Sequence, residues 1–214
     1  MVLSYTFDSL KTDIMNWTEN DSAEFQAVLG TIIGLAELRI VRDSDLDVFR
    51  KYARSFFGPS DRFLSKPDDM VIDRHMEVEI NGSKYALARK DTSFLNMYWP
   101  DATQMGTPRF YSDWDEDNFV IVPTPADSYV VELAYTYRPE GLSDATPTTW
   151  LSLNAPDILL FACMVEATRF EKGEAQEVAG WKDAYAEALA RLNREEMGRQ
   201  RRTEYTAGEP RGTI

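Results

Sequence analysis

Residues 106–160 of the chain read GTPRFYSDWDEDNFVIVPTPADSYVVELAYTYRPEGLSDATPTTWLSLNAPDILL. Apolar and aromatic residues alternate with other residues over 129–137, which is the period of a β-strand with one buried face. Further on, Asn154 is a good N-cap, Pro156 suits a first helical turn, and Asp157 is well placed against the helix dipole. The stretch therefore predicts a β region that ends where a long helix begins. None of these landmarks is a reactive group, so they inform on architecture rather than on chemistry.

Helical periodicity precedes this β region. Apolar residues in 4–17 share one helical face, and Asp21-Ser22 offers an N-cap for a helix that extends to Ile40. Ser44 and Asp47 resemble a capping box and predict a third helix to Phe56. Gly58-Pro59 would end that helix, since proline cannot continue its hydrogen bonding.

The period changes to two over Met70–Ile80, which predicts a strand. Asn81-Gly82 follows it and supplies both positive-φ positions of a type I′ turn, so a β-hairpin is predicted there. Further strands are predicted at 94–98, 109–111, 118–122 and 129–137. This middle region is interpreted as an antiparallel sheet or a small sandwich.

Two helices are predicted in the last third of the chain, separated at Lys172-Gly173-Glu174. The first runs to Phe170 and is apolar on most sides, as expected of a buried element. The second has one apolar stripe and loses its apolar periodicity beyond Gly198, which predicts a tail that is flexible when alone. The predicted fold class is therefore α+β. Residues 1–65 and 148–198 form a helical bundle, 66–147 form a β-rich insertion, and 199–214 form a flexible C-terminal arm.

Charge and composition limit the function. The net charge of the 214 residues is −13, which argues against wrapping DNA by phosphate neutralisation. An acidic wall that repels passing DNA and a merely solubilising surface both agree with this charge. Cys163 and His75 are the only residues of their types, so most nucleophile–base pairs and most transition-metal sites are excluded. We expect no enzymatic activity and no cofactor, with Cys163 in the core and His75 as a structural residue.

The chain shows no membrane or secretion signal. No apolar run reaches the roughly 18–20 residues that cross a bilayer. The first residues lack the basic start and apolar run of a signal peptide. We therefore expect a soluble protein made in a cytoplasm.

Three segments are candidate sites. The cluster 113–117 begins like a calcium loop, but Asn118 and Thr124 stand where such a loop needs glycine and a bidentate glutamate, so a solvated turn is predicted. The locally basic tail either docks on a groove of a partner subunit or simply solubilises the chain end. Four aromatics of the β region either anchor an interface or close the sandwich. The tail residues are Arg199, Arg201, Arg202, Tyr205 and Arg211, and the aromatics are Trp99, Phe110, Tyr111 and Trp114.

Proline and aromatic landmarks give the chain a family resemblance. Their order resembles that of the head-to-tail adaptor proteins of tailed bacteriophages, also called connector or tail tubular protein A-like proteins. The resemblance covers most of the chain. Residues 58–105 share only the general character of the family sequences and none of the named landmarks. The landmarks are Pro108, Tyr111, Pro123, Pro125, Tyr135, Tyr137, Pro139, Leu142, Trp150, Leu151 and Pro156, together with Tyr5, Leu10, Ile14, Trp17 and 35–40 near the N-terminus.

This resemblance implies a structural virion protein at the head–tail junction. It implies a ring of roughly twelve copies beneath the portal protein, with DNA passing through the lumen during ejection without specific binding. It also implies that the C-terminal arm docks on the portal and that the other face receives the tail nozzle or tail tube protein. An acidic DNA-mimic or other inhibitory binding protein is the alternative, although the acidic residues are dispersed rather than set in phosphate-like rows. A carboxylate-based hydrolase comes third, since no acid/base pair is placed by the sequence.

Overall fold

The computed structural model describes residues 3–44 and 46–206, with side chains up to Met197. The chain divides into two compact units. Met1–Leu46 and Glu140–Ile214 form the first, which we call the helical unit, and Asp47–Pro139 form the second, the sheet unit. The described residues contain α1 (Phe7–Thr18), α2 (Ala23–Asp43), α3 (Thr92–Tyr98), α4 (Trp150–Asn154), α5 (Pro156–Phe170) and α6 (Ala175–Thr206).

In the helical unit, α5 is the central element. It packs against α1, α2, α4 and α6 and buries residues around most of its circumference, as predicted. The neighbouring helices begin at residues that satisfy their first free N–H groups. Thr6 and Ser9 form a capping box at α1, and Ser22 caps α2 as predicted. Pro156 lies in the first turn of α5, also as predicted, but the N-cap of α5 is Ala155 and not Asn154, which is the last residue of α4.

The sheet unit is built on a seven-stranded sheet. Its strands are β1 (Arg50–Phe57), β2 (Phe63–Ser65), β3 (Met70–Ile80), β4 (Ser83–Arg89), β6 (Phe110–Asp113), β7 (Asn118–Val122) and β9 (Tyr129–Tyr137). Their order is β1-β9-β3-β4-β6-β7-β2, antiparallel except for the parallel pair β4·β6. A separate parallel pair joins β5 (Met105–Gly106) and β8 (Thr124–Pro125).

The hairpin between β3 and β4 confirms the turn prediction. Asn81 and Gly82 both have positive φ, 52° and 78°, and Ile80 pairs with Ser83 across the turn. The face of β9 that carries Val131, Leu133 and Tyr135 lies in the core of the sheet unit, as its alternation predicted. The local pattern and the sheet register therefore agree in this region.

The predicted fold class is wrong. The chain is a mixed α/β protein, not a helical bundle with a β insertion, because the large sheet forms a unit with its own core. The predicted third helix is a 3-10 turn at Asp47–Phe49 followed by β1. Pairing of β1 with β9 along its whole length outweighs the helical spacing of its apolar residues.

Two further elements differ from the sequence prediction. The segment predicted as a strand at 94–98 belongs to α3, whose N-cap Asp91 accepts a hydrogen bond from the Ser93 N–H. The tail predicted to be flexible from residue 199 continues α6 as far as Thr206. A helix that is already nucleated extends through good helix formers without an apolar stripe, because each added residue gains one hydrogen bond.

Candidate interaction surfaces

A partly buried ion-pair network joins β3, β4 and β6 of the sheet unit, with Asp73 buried and Arg89 and Asp113 about half exposed. Arg89 lies 3.0 Å from Asp73 and also pairs with Asp113. Lys66 Nζ forms an ion pair with Asp113 Oδ1 at 3.0 Å. The Tyr111 hydroxyl donates a hydrogen bond to Asp73 Oδ2 at 2.8 Å. The Asp73 side chain is almost fully buried, so both of its partners compensate for its lost hydration. The network fastens the one parallel strand pair of the described seven-stranded sheet.

The electrostatics of this network keep Asp113 charged. Burial opposes ionisation of Asp113, but a hydrogen bond to Lys66 and the charges of Arg89 and Lys66 outweigh it, so its pKa lies below the usual value. Burial and the hydrogen bond to Asp73 raise the pKa of Tyr111. Tyr111 therefore stays protonated and acts only as a hydrogen-bond donor. Such a network supports structure rather than proton transfer near neutral pH.

The acidic cluster 113–117 forms a turn between β6 and β7, as predicted. One oxygen of Asp115 accepts hydrogen bonds from the backbone N–H groups of Asp117 and Asn118, at 2.9 and 2.7 Å. Asp113 is engaged by the cations described above. In the described part of the chain, no group of three or more histidine, cysteine or acidic residues is arranged to hold a metal ion.

The four predicted interface aromatics are not equivalent. Tyr111 is buried in the sheet core, and its ring packs edge-on against Phe119. Trp99 and Phe110 are partly buried and pack against a small apolar cluster of the sheet unit. Trp114 is 48% exposed. Of the four, Trp114 has the most surface that a partner could cover.

Trp114 has a neighbour that the sequence analysis missed. Its ring lies 5.6 Å from that of Phe63 in β2, which is itself 41% exposed. The two rings form an exposed aromatic pair at the edge of the sheet. No local signal in the sequence relates the two residues, because the β2·β7 pairing brings them together.

The opposite end of the strand order also carries exposed aromatic residues. Tyr52 and Phe56 of β1 are 58% and 73% exposed. Both lie on the same face of the strand, since they are separated by an even number of positions. The sequence analysis placed them on a helix and so did not identify them as surface candidates.

The helical unit contains a buried carboxylate. Glu37 of α2 is 7% exposed, and its two oxygens accept hydrogen bonds from the Leu142 N–H at 2.8 Å and the Thr149 hydroxyl at 3.3 Å. Burial raises the pKa of Glu37, and these two hydrogen bonds offset only part of that rise. Glu37 thus fastens the segment before α4 to α2.

The basic residues of the C-terminal segment and Cys163 lie in the helical unit. Arg199, Arg201, Arg202 and Tyr205 lie on α6, but their side chains are outside the described residues, as is the whole of Arg211. Cys163 is fully buried in α5, as predicted, and burial raises the pKa of its thiol.

His75 is about half exposed. Its Nε2 lies 3.9 Å from Glu77, and its ring packs edge-on against Tyr52. These contacts agree with the expected structural role of an exposed histidine.

Comparison with protein families identifies the chain. The family model described as SU10 adaptor protein matches residues 5–211, which span both units. The chain belongs to the SU10 adaptor protein family. This is a family of phage head–tail adaptors, so the resemblance noted in the sequence is confirmed. A search of curated proteins gave no match.

Family membership assigns a general role to this SU10 adaptor. It is a bacteriophage head–tail adaptor, a structural component of the virion that associates with portal and tail components. None of the helices in residues 3–44 and 46–206 combines the length and apolar character that a membrane span requires.

Proposed function

We propose that this adaptor assembles as a ring of roughly twelve copies between the portal and the tail nozzle or tail tube, with the DNA ejection channel through its centre. The observation that carries the proposal is the family match, which covers both compact units. A ring requires each copy to present two different surfaces that fit each other, so that the contacts are head-to-tail and close by rotation.

The charge of the chain supports a role around moving DNA. A net charge of −13 makes the averaged surface repulsive to phosphate. DNA then passes through the lumen without the sticking that clustered Lys and Arg would cause. Several cations of the sheet unit form ion pairs with carboxylates of the same chain, among them Lys51, Lys66 and Arg89.

The C-terminal segment supplies the proposed portal contact. Residues 199–214 follow the part of α6 that buries Tyr185, Ala188 and Leu192 in the helical unit. The segment carries four arginines in an acidic protein, which favours docking on an acidic or aromatic groove of the portal. Arg199, Arg201, Arg202, Tyr205 and Arg211 are the residues that we assign to this contact.

Truncation tests the portal contact. A chain ending at Gly198 keeps every side chain that the structure places in the core of the helical unit, so we expect its thermal unfolding to be nearly unchanged. We expect it to lose co-sedimentation with purified portal. The matched control keeps the full length and replaces Arg199, Arg201 and Arg202 with Gln, which separates the effect of charge from that of length. Portal binding by the truncated chain at the level of the full chain would remove the docking arm from the proposal.

A further inference from the structure

Strand β7 is apolar on both of its faces. Phe119 and Ile121 lie in the core of the sheet unit, whereas Val120 and Val122 pack with Leu95 of α3. The helix α3 therefore covers part of the sheet face that points away from the core. Because α3 has only seven residues, it leaves apolar side chains around it exposed.

Four aromatic rings are grouped at α3. Phe94 stacks on Tyr98 with 4.5 Å between the ring centroids. Trp99 and Phe110 complete the group, in which each ring contacts two others. Tyr98 is 60% exposed, and its neighbour Met97 is 73% exposed. Aromatic rings that keep exposed surface are the side chains at which protein partners most often anchor.

The exposed pair Phe63 and Trp114 extends this group. Phe63 is the register partner of Val120, which is in turn the register partner of Ser112, so the three side chains share one face. Oγ1 of Thr92 in α3 lies 3.0 Å from Oγ of Ser112. Phe63 therefore lies next to residues that α3 covers. We call this surface the α3 face, and its six rings are those of Phe63, Phe94, Tyr98, Trp99, Phe110 and Trp114.

Five exposed carboxylates border the α3 face. Two of them lie close to the ends of α3, and three lie in the turn that follows β6. None of the five forms an ion pair within the described residues, and the hydrogen bonds that they accept come from neutral groups. These residues are Asp91, Asp101, Asp115, Glu116 and Asp117.

Few cations offset this negative rim. Arg62 lies over the ring of Phe63 at 5.7 Å, and Lys90 lies over the ring of Phe94 at 5.4 Å. Lys66 and Arg89 are already engaged by Asp113, Asp73 or both, so they do not neutralise the rim. The α3 face is therefore an aromatic surface with a net negative border.

Charge decides which partner fits this surface. The negative rim repels the phosphates of DNA, and it repels a second copy of a chain whose net charge is −13. It attracts a protein surface on which Lys or Arg flank apolar side chains. The arginine-rich C-terminal segment, which we assign to the portal, requires the opposite charge in its partner. The two contacts therefore select two different partners.

We propose that the α3 face binds the tail-side protein, the nozzle or tube protein, through a segment in which Lys or Arg flank apolar residues. The apolar side chains of that segment cover the exposed rings, and its cations pair with the carboxylates of the rim. The inference rests on the proposed ring between portal and tail, and it names the surface and the chemistry of the tail contact.

Binding of the tail-side protein tests this contact. The full-length adaptor is assembled on purified portal, and binding of the purified nozzle or tube protein is measured by co-sedimentation. Tyr98→Ala and Trp114→Ala each remove an exposed ring, and we expect each to weaken this binding by about tenfold or more. Phe56→Ala is the matched control. It removes a still more exposed ring of the sheet unit from β1 and should bind like wild type.

A charge variant tests the rim without changing the fold. Glu116→Gln combined with Asp117→Asn alters two exposed side chains that form no ion pair in the described chain, so thermal unfolding should stay that of wild type. We expect the double variant to bind the tail-side protein about threefold to tenfold more weakly. Its binding should also depend less on salt concentration, because fewer charges are screened.

Tail binding that is the same in wild type and in both ring variants would overturn the inference. An equal loss in Phe56→Ala, or a wild-type ring that binds no tail-side protein, would also overturn it. Ring variants that unfold at the wild-type temperature but form no ring on the portal would show that the α3 face joins copies of the chain instead. In each of these cases a wild-type ring seen by electron microscopy leaves the proposed function intact, whereas absence of that ring would overturn both.

Discussion

The carboxylate of Glu37 accepts the backbone N–H of Leu142 at 2.8 Å, although the two residues are 105 positions apart in the chain. The bond ties α2 to the segment that leads into α4. Glu37 is buried, and its carboxylate accepts hydrogen bonds from the Leu142 N–H and the Thr149 hydroxyl, both neutral groups. The stability of the helical unit therefore depends on hydrogen bonding at this position.

Replacing Glu37 tests this dependence. Glu37→Ala leaves the buried Leu142 N–H without its acceptor, and we expect the free energy of unfolding to fall by about 1–3 kcal/mol. Glu37→Gln keeps an acceptor for Leu142 and serves as the matched control, with a much smaller loss. Chemical denaturation followed by circular dichroism measures both. Equal losses of stability in the two variants would show that the hydrogen bond from Leu142 does not account for the contribution of Glu37.

The raised pKa of Glu37 makes the free energy of unfolding depend on pH, and the sign of this dependence follows from the shift. Burial raises the pKa of Glu37 above its ordinary value of 4.5, so the folded state binds this proton more tightly than the unfolded state. The stability linked to that proton is fully present below pH 4.5 and is lost as the pH rises through the raised pKa. We therefore expect the stability of Glu37→Gln relative to wild type to be greatest near neutral pH and to shrink towards pH 4.5. A stability difference between Glu37→Gln and wild type that does not change with pH would contradict a raised pKa for Glu37.

Gly141 is constrained by the same contact. A Cβ at this position would lie 2.8 Å from Oε2 of Glu37. We expect Gly141→Ala to displace the carboxylate and to cost about 1 kcal/mol, the value of a typical hydrogen bond.

Gly34→Ala is the matched control for that substitution. Gly34 lies within α2, and a Cβ added there would meet nothing within 4 Å besides its chain neighbours and the backbone of its own helix, so alanine should stabilise the helix by up to about 1 kcal/mol. The cost of Gly141→Ala should also fall when Glu37 is already alanine, which a double-mutant cycle measures. Independent, additive effects would contradict the proposed clash.

The Tyr111 hydroxyl supports the partly buried network of the sheet unit. Tyr111→Phe removes a hydrogen bond to the nearly buried Asp73, and we expect a loss of about 1.5–3 kcal/mol because the acceptor is charged. Tyr85→Phe, at an exposed position of β4, is the control and should stay within about 0.5 kcal/mol of wild type. Hydrogen exchange of β4 and β6 amides reports the effect within the sheet unit, and unchanged protection in Tyr111→Phe would contradict it.

Local chemistry made part of the fold predictable. Asn81-Gly82 specifies its hairpin because few other residues adopt two successive positive φ angles. The alternation along β9 likewise predicts which side chains enter the core. Both features depend on neighbours in the sequence, so a single chain is enough to recognise them.

Non-local pairing made the remainder unpredictable. Residues 50–57 have helical spacing, and only their register with β9 makes them a strand. Tyr111 and Trp114 lie three positions apart, yet one is buried and the other exposed, because strand β6 ends at Asp113 and Trp114 lies in the acidic turn that follows. Glu37 has the sequence context of an exposed helix position, and its partners come from a distant segment. Each of these outcomes is decided by tertiary contacts.

Electron microscopy of the adaptor bound to purified portal is the most direct test of the proposed ring. We predict a closed ring of adaptor density coaxial with the portal, with an open central channel wide enough for duplex DNA. Isolated copies scattered on the portal, or a portal with no adaptor density at saturating adaptor concentration, would contradict it.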